Sequence, residues 1–304
     1  VSTPARAASG RGATAVLLLA HGTPESLDQL EEYLTLVRGG RPPSTELVAT
    51  LRSSYAAIGG RSPLTDITRS QAAALEHCLG DGARVYVGMR NWRPFVADAL
   101  AELARDGFRE VVAVPMAPQF SALSVGRYRE AVERARPAGV SVRFVEAWYD
   151  RPLLLEAFAE KVREALARGP RDAVVFTAHS LPARVVDAGD PYAEQVRATA
   201  RGVAARAGVA SYEVAWQSAG RTEEAWLGPS LEEELEALAA AGRRRVLVVP
   251  VSFVCDHTEV LYDVDVQAAE FARARGLDLL RAASLNASPA FIRALADVVC
   301  SARG

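Results

Sequence analysis

Eight short apolar runs recur along the chain with little polar alternation inside them. They lie at 15–22, 83–89, 110–118, 140–148, 172–180, 212–218, 245–253 and 277–284. Continuous aliphatic and β-branched runs are what strands look like when helices cover both faces, which predicts parallel sheets. Between them, segments such as RPFVADALAELARDG and LLLEAFAEKVREALARG space their apolar residues for one helical face. They close on Gly107 and Gly169, as helix C-termini do. The alternation predicts an α/β fold of the doubly wound, Rossmann-like kind.

The runs fall into two sets of four, and the halves echo each other. AVLLLAHG in the first answers DAVVFTAHS in the second, and EVVAVPMAPQFS answers RVLVVPVSFVCD. Two similar lobes follow, 15–145 and 146–304, preceded by a disordered tail over 1–14. In doubly wound sheets ligands bind beyond the carboxyl ends of the strands. With two lobes, the cleft between them is the expected site. His21, Pro118, His179, Gln217 and Asp256 all fall at or just after strand ends. The stretch 38–65 breaks the rhythm with Gly39, Gly40, Pro42, Pro43, Gly59, Gly60 and Pro63. It reads as a long inserted connection, or as a lip over the cleft.

Composition narrows the function classes. The 304 residues carry a formal net charge of -2, which gives no basic surface for nucleic acid. Three scattered cysteines, Cys78, Cys255 and Cys300, form no C-x-x-C pair and no disulfide framework. The apolar run AVLLLA is too short to span a membrane. A soluble, cytoplasmic protein, monomeric by default, is expected. No GxGxxG follows the first strand, and no Walker loop or GxSxG elbow is present. Dinucleotide oxidoreductase, NTPase and α/β-hydrolase readings therefore fall.

The candidate chemistry sits at two strand ends. His179 closes VVFTAHSLP, where a neutral imidazole can accept a proton or bind metal. Glu259 opens the helix after VSFVCDHTE. Asp256 three residues before it makes a capping box an equally good account of that glutamate. Glu259, Asp263 and Gln267 are spaced i, i+4, i+8 and share one helix stripe. Such a stripe is either a solvated acidic face or a carboxylate row able to relay divalent cations. His77 and His257 read as structural, and Trp216 and Trp226 as core or loop packing.

With these residues in view, the chain resembles a ferrochelatase. The resemblance rests on LAHGTPE, YAAIGGRSPLTDIT, VGMRNWRPF, APQFSALSVGRY, VEAWYD, TAHSLP, GDPY, WQSAGRTEEAWLGP and SFVCDHTEVLYDVD, in that order. It implies a class II chelatase fold of two Rossmann-like lobes around a porphyrin cleft, and insertion of ferrous iron. By the same resemblance His179 and Glu259 are the catalytic, iron-handling pair, with Asp263 behind them as a proton or metal relay. His21, Arg38, Ser54, Tyr55, Ser62 and Tyr128 match porphyrin-binding positions, and Arg38, Arg41 and Arg61 suit propionate carboxylates.

The substrates so implied are Fe(II) and coproporphyrin III, as in the soluble, monoderm-type branch, in haem b biosynthesis. The alternatives are protoporphyrin IX, a cobalt or nickel tetrapyrrole chelatase, or a non-catalytic haem carrier. That branch usually has a tyrosine at the position of His21, and some relatives have a histidine at Asn91 or a third carboxylate at Gln267. Some relatives hold a [2Fe–2S] cluster on four cysteines; this chain has three, so no cluster, no cofactor beyond the iron substrate and no stable membrane insertion are expected.

Overall fold

A computed structural model of the chain describes residues 14–220 and 222–303. The first sheet comprises β1 (Thr14–Ala20), β2 (Ala83–Met89), β3 (Glu110–Pro115) and β4 (Ser141–Phe144). The second comprises β5 (Ala173–His179), β6 (Glu213–Gln217), β7 (Arg245–Pro250) and β8 (Asp278–Arg281). Their orders are β2-β1-β3-β4 and β6-β5-β7-β8, and the pairings are parallel throughout. Each half thus repeats one winding. The fold is α/β and doubly wound.

Every predicted run matches one strand, with β1 starting one residue before its run. Several runs overshoot at the C-terminal end, because the apolar pattern continues into loops that line the cleft. Of the tail expected over 1–14, only Thr14 lies within the described residues, and it pairs with Ala83 in β1.

Alternation within each strand sorts its residues between two cores. Ala15, Leu17 and Leu19 of β1 pack with Leu100 and Leu103 of the helix Val96–Arg105 and Val132 of the helix Val125–Ala135. Val16 and Leu18 face the other way, into a core shared with the second sheet. That shared core holds Phe158 and Val162 of the helix Pro152–Leu166, and Phe291 and Leu295 of the helix Pro289–Arg303. Each fully buried Leu or Phe there contributes roughly 1.5–3 kcal/mol relative to exposure. The two sheets are therefore fixed to one another by apolar packing, which gives the cleft between their strand ends a set width.

The segment 38–65 is more ordered than a long connection. It carries the helix Thr45–Ala57, started by Ser44, whose Oγ accepts from Leu47 N at 3.2 Å. Leu47, Val48 and Leu51 pack on Tyr33, Leu34 and Trp92. The glycines and prolines punctuate only its ends, with Gly59 and Gly60 at φ of 93° and 88°.

The turn after β1 depends on one glycine. Gly22 has φ of 87°, and a Cβ there would lie 2.8 Å from the Trp92 backbone nitrogen. Gly22→Ala is expected to lower stability by about 2–3 kcal/mol, read as a lower denaturant midpoint.

Candidate active site

His21 follows β1 and His179 ends β5, at equivalent places in the two halves. Both line a cavity of about 460 Å³. Of the other residues singled out from sequence, Tyr55, Ser62, Tyr128 and Glu259 also line it. Arg38, Ser54 and Asp263 do not. Arg38 is exposed at the end of the helix Leu30–Val37. Ser54 is buried and donates to Thr50 O at 3.2 Å. Arg61 is engaged with Asp66 at 2.8 Å.

Register places the central pair. In the β5–β6 ladder His179 is opposite Gln217, and Gln217 Nε2 donates to Glu259 O at 2.7 Å. One strand thus holds the backbone of Glu259 beside its neighbour's histidine. His179 N donates to Ser252 Oγ at 3.2 Å. The ring's Nδ1–H is donated to Ser180 O, which turns Nε2 toward Glu259 Oε1, 3.6 Å away. Glu259 Oε2 lies 3.5 Å from His257 Nε2.

The capping-box account of Glu259 is not realised. The short helix Thr258–Leu261 starts from His257 with no side-chain cap. The Asp256 carboxylate instead accepts from Ser284 Oγ at 2.7 Å and Asn286 Nδ2 at 2.8 Å, and meets Arg281 at 3.3 Å. Glu259 is left free for the two imidazoles. The following turns open into a π-helix over Asp263–Ala268, where Gln267 N donates five residues back to Tyr262 O. Gln267 reaches Glu232 on the neighbouring helix, at 3.4 Å. Asp263 hydrogen-bonds Ser218 Oγ, a residue held at φ of 58°. At the cleft end the predicted row therefore has two members, Glu259 and Asp263.

The electrostatics ionise the pair. Burial alone would lower the pKa of His179, but the Glu259 carboxylate and the Ser180 carbonyl outweigh it and raise it to about 9. Burial would raise Glu259; the His179 and His257 charges hold it well below the ordinary carboxylate range. The side chains are 31% and 42% exposed, and both line the cleft. With a pKa of about 9, His179 carries a proton at neutral pH, where the sequence alone predicts a neutral imidazole. Asp263 is pushed up to about 6, by burial first and then by the Glu259 charge.

Among the described residues, Arg90 is the one cation on the opposite wall. Burial, and then Arg90, lower His21 to about 4. Burial pushes Tyr128 up to about 12 and raises Tyr33 and Tyr55. Arg90 lies over the Tyr128 ring at 5.7 Å. Its Nε is buried without a hydrogen-bond partner, and no carboxylate among the described residues pairs with it. Asn91 Nδ2 is 3.0 Å from His21 Nε2.

The ferrochelatase family profile matches residues 13–303. A ferrochelatase of Herpetosiphon aurantiacus is 40% identical over 94% of this chain and 98% of its own. The chain belongs to the ferrochelatase family. A coproporphyrin III ferrochelatase of Halalkalibacterium halodurans is also 40% identical, over 93% of this chain and 95% of its own. Among solved structures, the sirohydrochlorin chelatase SirB of Bacillus subtilis subspecies spizizenii superposes with a TM-score of 0.58. It is 13% identical, over 95% of both chains. CbiX, the terminal enzyme of sirohaem biosynthesis in denitrifying bacteria, gives 0.54 at 14% identity, over 94% of this chain and 98% of its own. These two likenesses concern the fold.

The ferrochelatase cleft also holds residues that the sequence reading set aside. His257 packs against Phe253 in a tilted arrangement with ring centroids 4.6 Å apart, and touches Glu259. Trp226 lines the cavity, whereas Trp216 is core. Arg90 lay in the block VGMRNWRPF but carried no assignment. The signal for His257 was its place two residues before Glu259. Trp226 had none, because its approach to the cleft depends on pairing with Pro182.

Proposed function

We propose that this ferrochelatase inserts Fe(II) into coproporphyrin III, with His179 and Glu259 as the catalytic and metal-handling pair and Asp263 behind them. His21, Tyr55, Ser62 and Tyr128 form the porphyrin walls, and Arg38 and Ser54, which do not line the cavity, belong to the same lip segment as Tyr55 and Ser62. No cofactor beyond the iron substrate takes part, and the three cysteines are too few for a four-cysteine cluster.

The carrying observation is the set of cations without carboxylate partners among the described residues. Arg38, Arg41 and Arg52 on the lip are exposed, and Arg90 stands in the cleft wall with a free Nε. Arg pairs with carboxylates bidentately. A ring with four propionates matches such a set better than a ring with two. Relatives with coproporphyrin III in their names support the same reading.

Protoporphyrin IX is the second reading. The observation in its favour is the exposed apolar pair Leu36 and Val37 on the helix beside the lip. No helix among the described residues is long and apolar enough to cross a membrane.

Anaerobic Fe(II) insertion with each porphyrin separates the two. kcat/KM is expected to favour coproporphyrin III by about tenfold, from two additional partly desolvated ion pairs. An equal or reversed preference would remove the coproporphyrin assignment, and metallation of neither ring would remove the catalytic one.

A further inference from the structure

Gly220 stands against the cleft wall for a reason that its backbone does not explain. Its φ lies outside the left-handed range that calls for glycine. A Cβ at this position would instead meet the Trp226 ring, 2.5 Å from Cζ2 and 2.8 Å from Cη2. Contacts that short require something to move.

The backbone of Trp226 is not free to move. Pro182 and Trp226 form an antiparallel bridge. Ala183 N donates to Ala225 O at 2.8 Å, and Leu227 N donates to Leu181 O at 2.9 Å. This small ribbon begins two residues after His179, so its position is tied to the central pair. The indole is held beside that contact, where Nε1–H donates to Thr222 Oγ1 at 2.9 Å. With the backbone pinned, a side chain at 220 would displace the ring by rotation about its side-chain bonds. The ring lines the cavity, so that rotation reshapes the wall.

We propose that Gly220 is a positioning residue that sets the shape of the porphyrin wall by leaving room for the Trp226 indole. The inference rests on the reading of the cleft as a porphyrin site. A flat macrocycle is recognised by flat, fixed walls, and an aromatic side chain provides such a wall with little freedom to lose. Gly220 keeps the indole withdrawn, so its action on the substrate passes through Trp226.

The test is a double-mutant cycle of wild type, Gly220→Ala, Trp226→Leu and the double variant, with coproporphyrin III as the probe. Binding without metal is read from the porphyrin absorbance band, and KM from iron insertion. Gly220→Ala is expected to weaken porphyrin binding about tenfold, raising the porphyrin KM and leaving the iron KM unchanged. In the Trp226→Leu background the same substitution is expected to have no further effect, because the methyl group no longer meets a ring.

An unchanged affinity in Gly220→Ala overturns the proposal, as does an equal loss in both backgrounds. Should Gly220→Ala fail to fold, recovery of folding in the double variant supports the clash with Trp226, and failure of both overturns it. A wild type that binds no porphyrin takes the ferrochelatase reading and this proposal down together. A wild type that binds and metallates the ring beside an equally competent Gly220→Ala removes Gly220 alone.

Discussion

His179→Ala is expected to slow iron insertion about a thousandfold, within the range that a positioned proton-transfer group supplies. Porphyrin affinity should stay within a few-fold of wild type. Two pyrrole protons must leave as iron enters, and His179 is the imidazole aimed at Glu259 with its Nδ1 fixed on Ser180. Its resting charge makes the order of events physical. A divalent cation arriving beside an imidazolium depresses the pKa of that imidazolium, so the proton leaves as the metal approaches. The nitrogen then freed can bind metal or take a pyrrole proton. Anaerobic stopped-flow absorbance with saturating porphyrin checks the rate, and fluorescence titration without iron checks binding. Turnover within tenfold of wild type would remove the proposed proton-accepting role from His179 and make His257, in contact with Glu259, the next residue to test.

The parts of this structure that were legible in the sequence are those governed by local pattern. Each apolar run became a strand because periodicity and burial on both faces are written in consecutive residues. The equivalence of His21 and His179 was visible for the same reason, since each stands at the C-terminal end of the first strand of its half. Cross-chain choices were not legible. Asp256 could cap a helix or join Ser284, Asn286 and Arg281; only packing of the loop after β8 decides between them. Gln217 showed its place at a strand end, but its hydrogen bond to Glu259 O depends on the β5–β6 register. Arg90 is conspicuous only once the absence of an ion-paired carboxylate among the described residues can be seen. The charge on His179 is likewise a property of the assembled pair.

That last point shapes the second large effect. Glu259→Gln is expected to slow iron insertion by about 10²–10³-fold and to change the pH dependence of the protein. In the wild type the pKa of His179 is raised from 6.5 to about 9. A raised pKa stabilises the fold fully below pH 6.5, and the contribution is lost as pH rises through about 9. Glu259 is depressed below 4.5, so its contribution is present above that value and lost as pH falls through the depressed one. The pair therefore stabilises most between about pH 4.5 and 6.5 and fades toward 9.

Replacing the carboxylate by an amide keeps the burial and removes the charge that opposed it. The pKa of His179 is then expected to fall, because burial lowers it and only the Ser180 carbonyl and Asp263 remain to raise it, so that the imidazole is expected to be neutral at pH 7. Denaturant midpoints taken at intervals from pH 5 to 9 should decline above pH 6.5 in the wild type. In the variant they should instead decline as pH drops below that point, since protonating a buried imidazole without a partner is unfavourable. Zn(II), a redox-stable probe, reads the same change from the ligand side. Its affinity should climb by up to tenfold per pH unit toward pH 9 in the wild type, because metal must displace a proton from His179. In Glu259→Gln that climb should end near or below pH 6.5. A variant whose midpoints and Zn(II) affinities follow the wild-type pH profile would show that Glu259 does not hold the charge on His179, and the ionised pair would have to be abandoned.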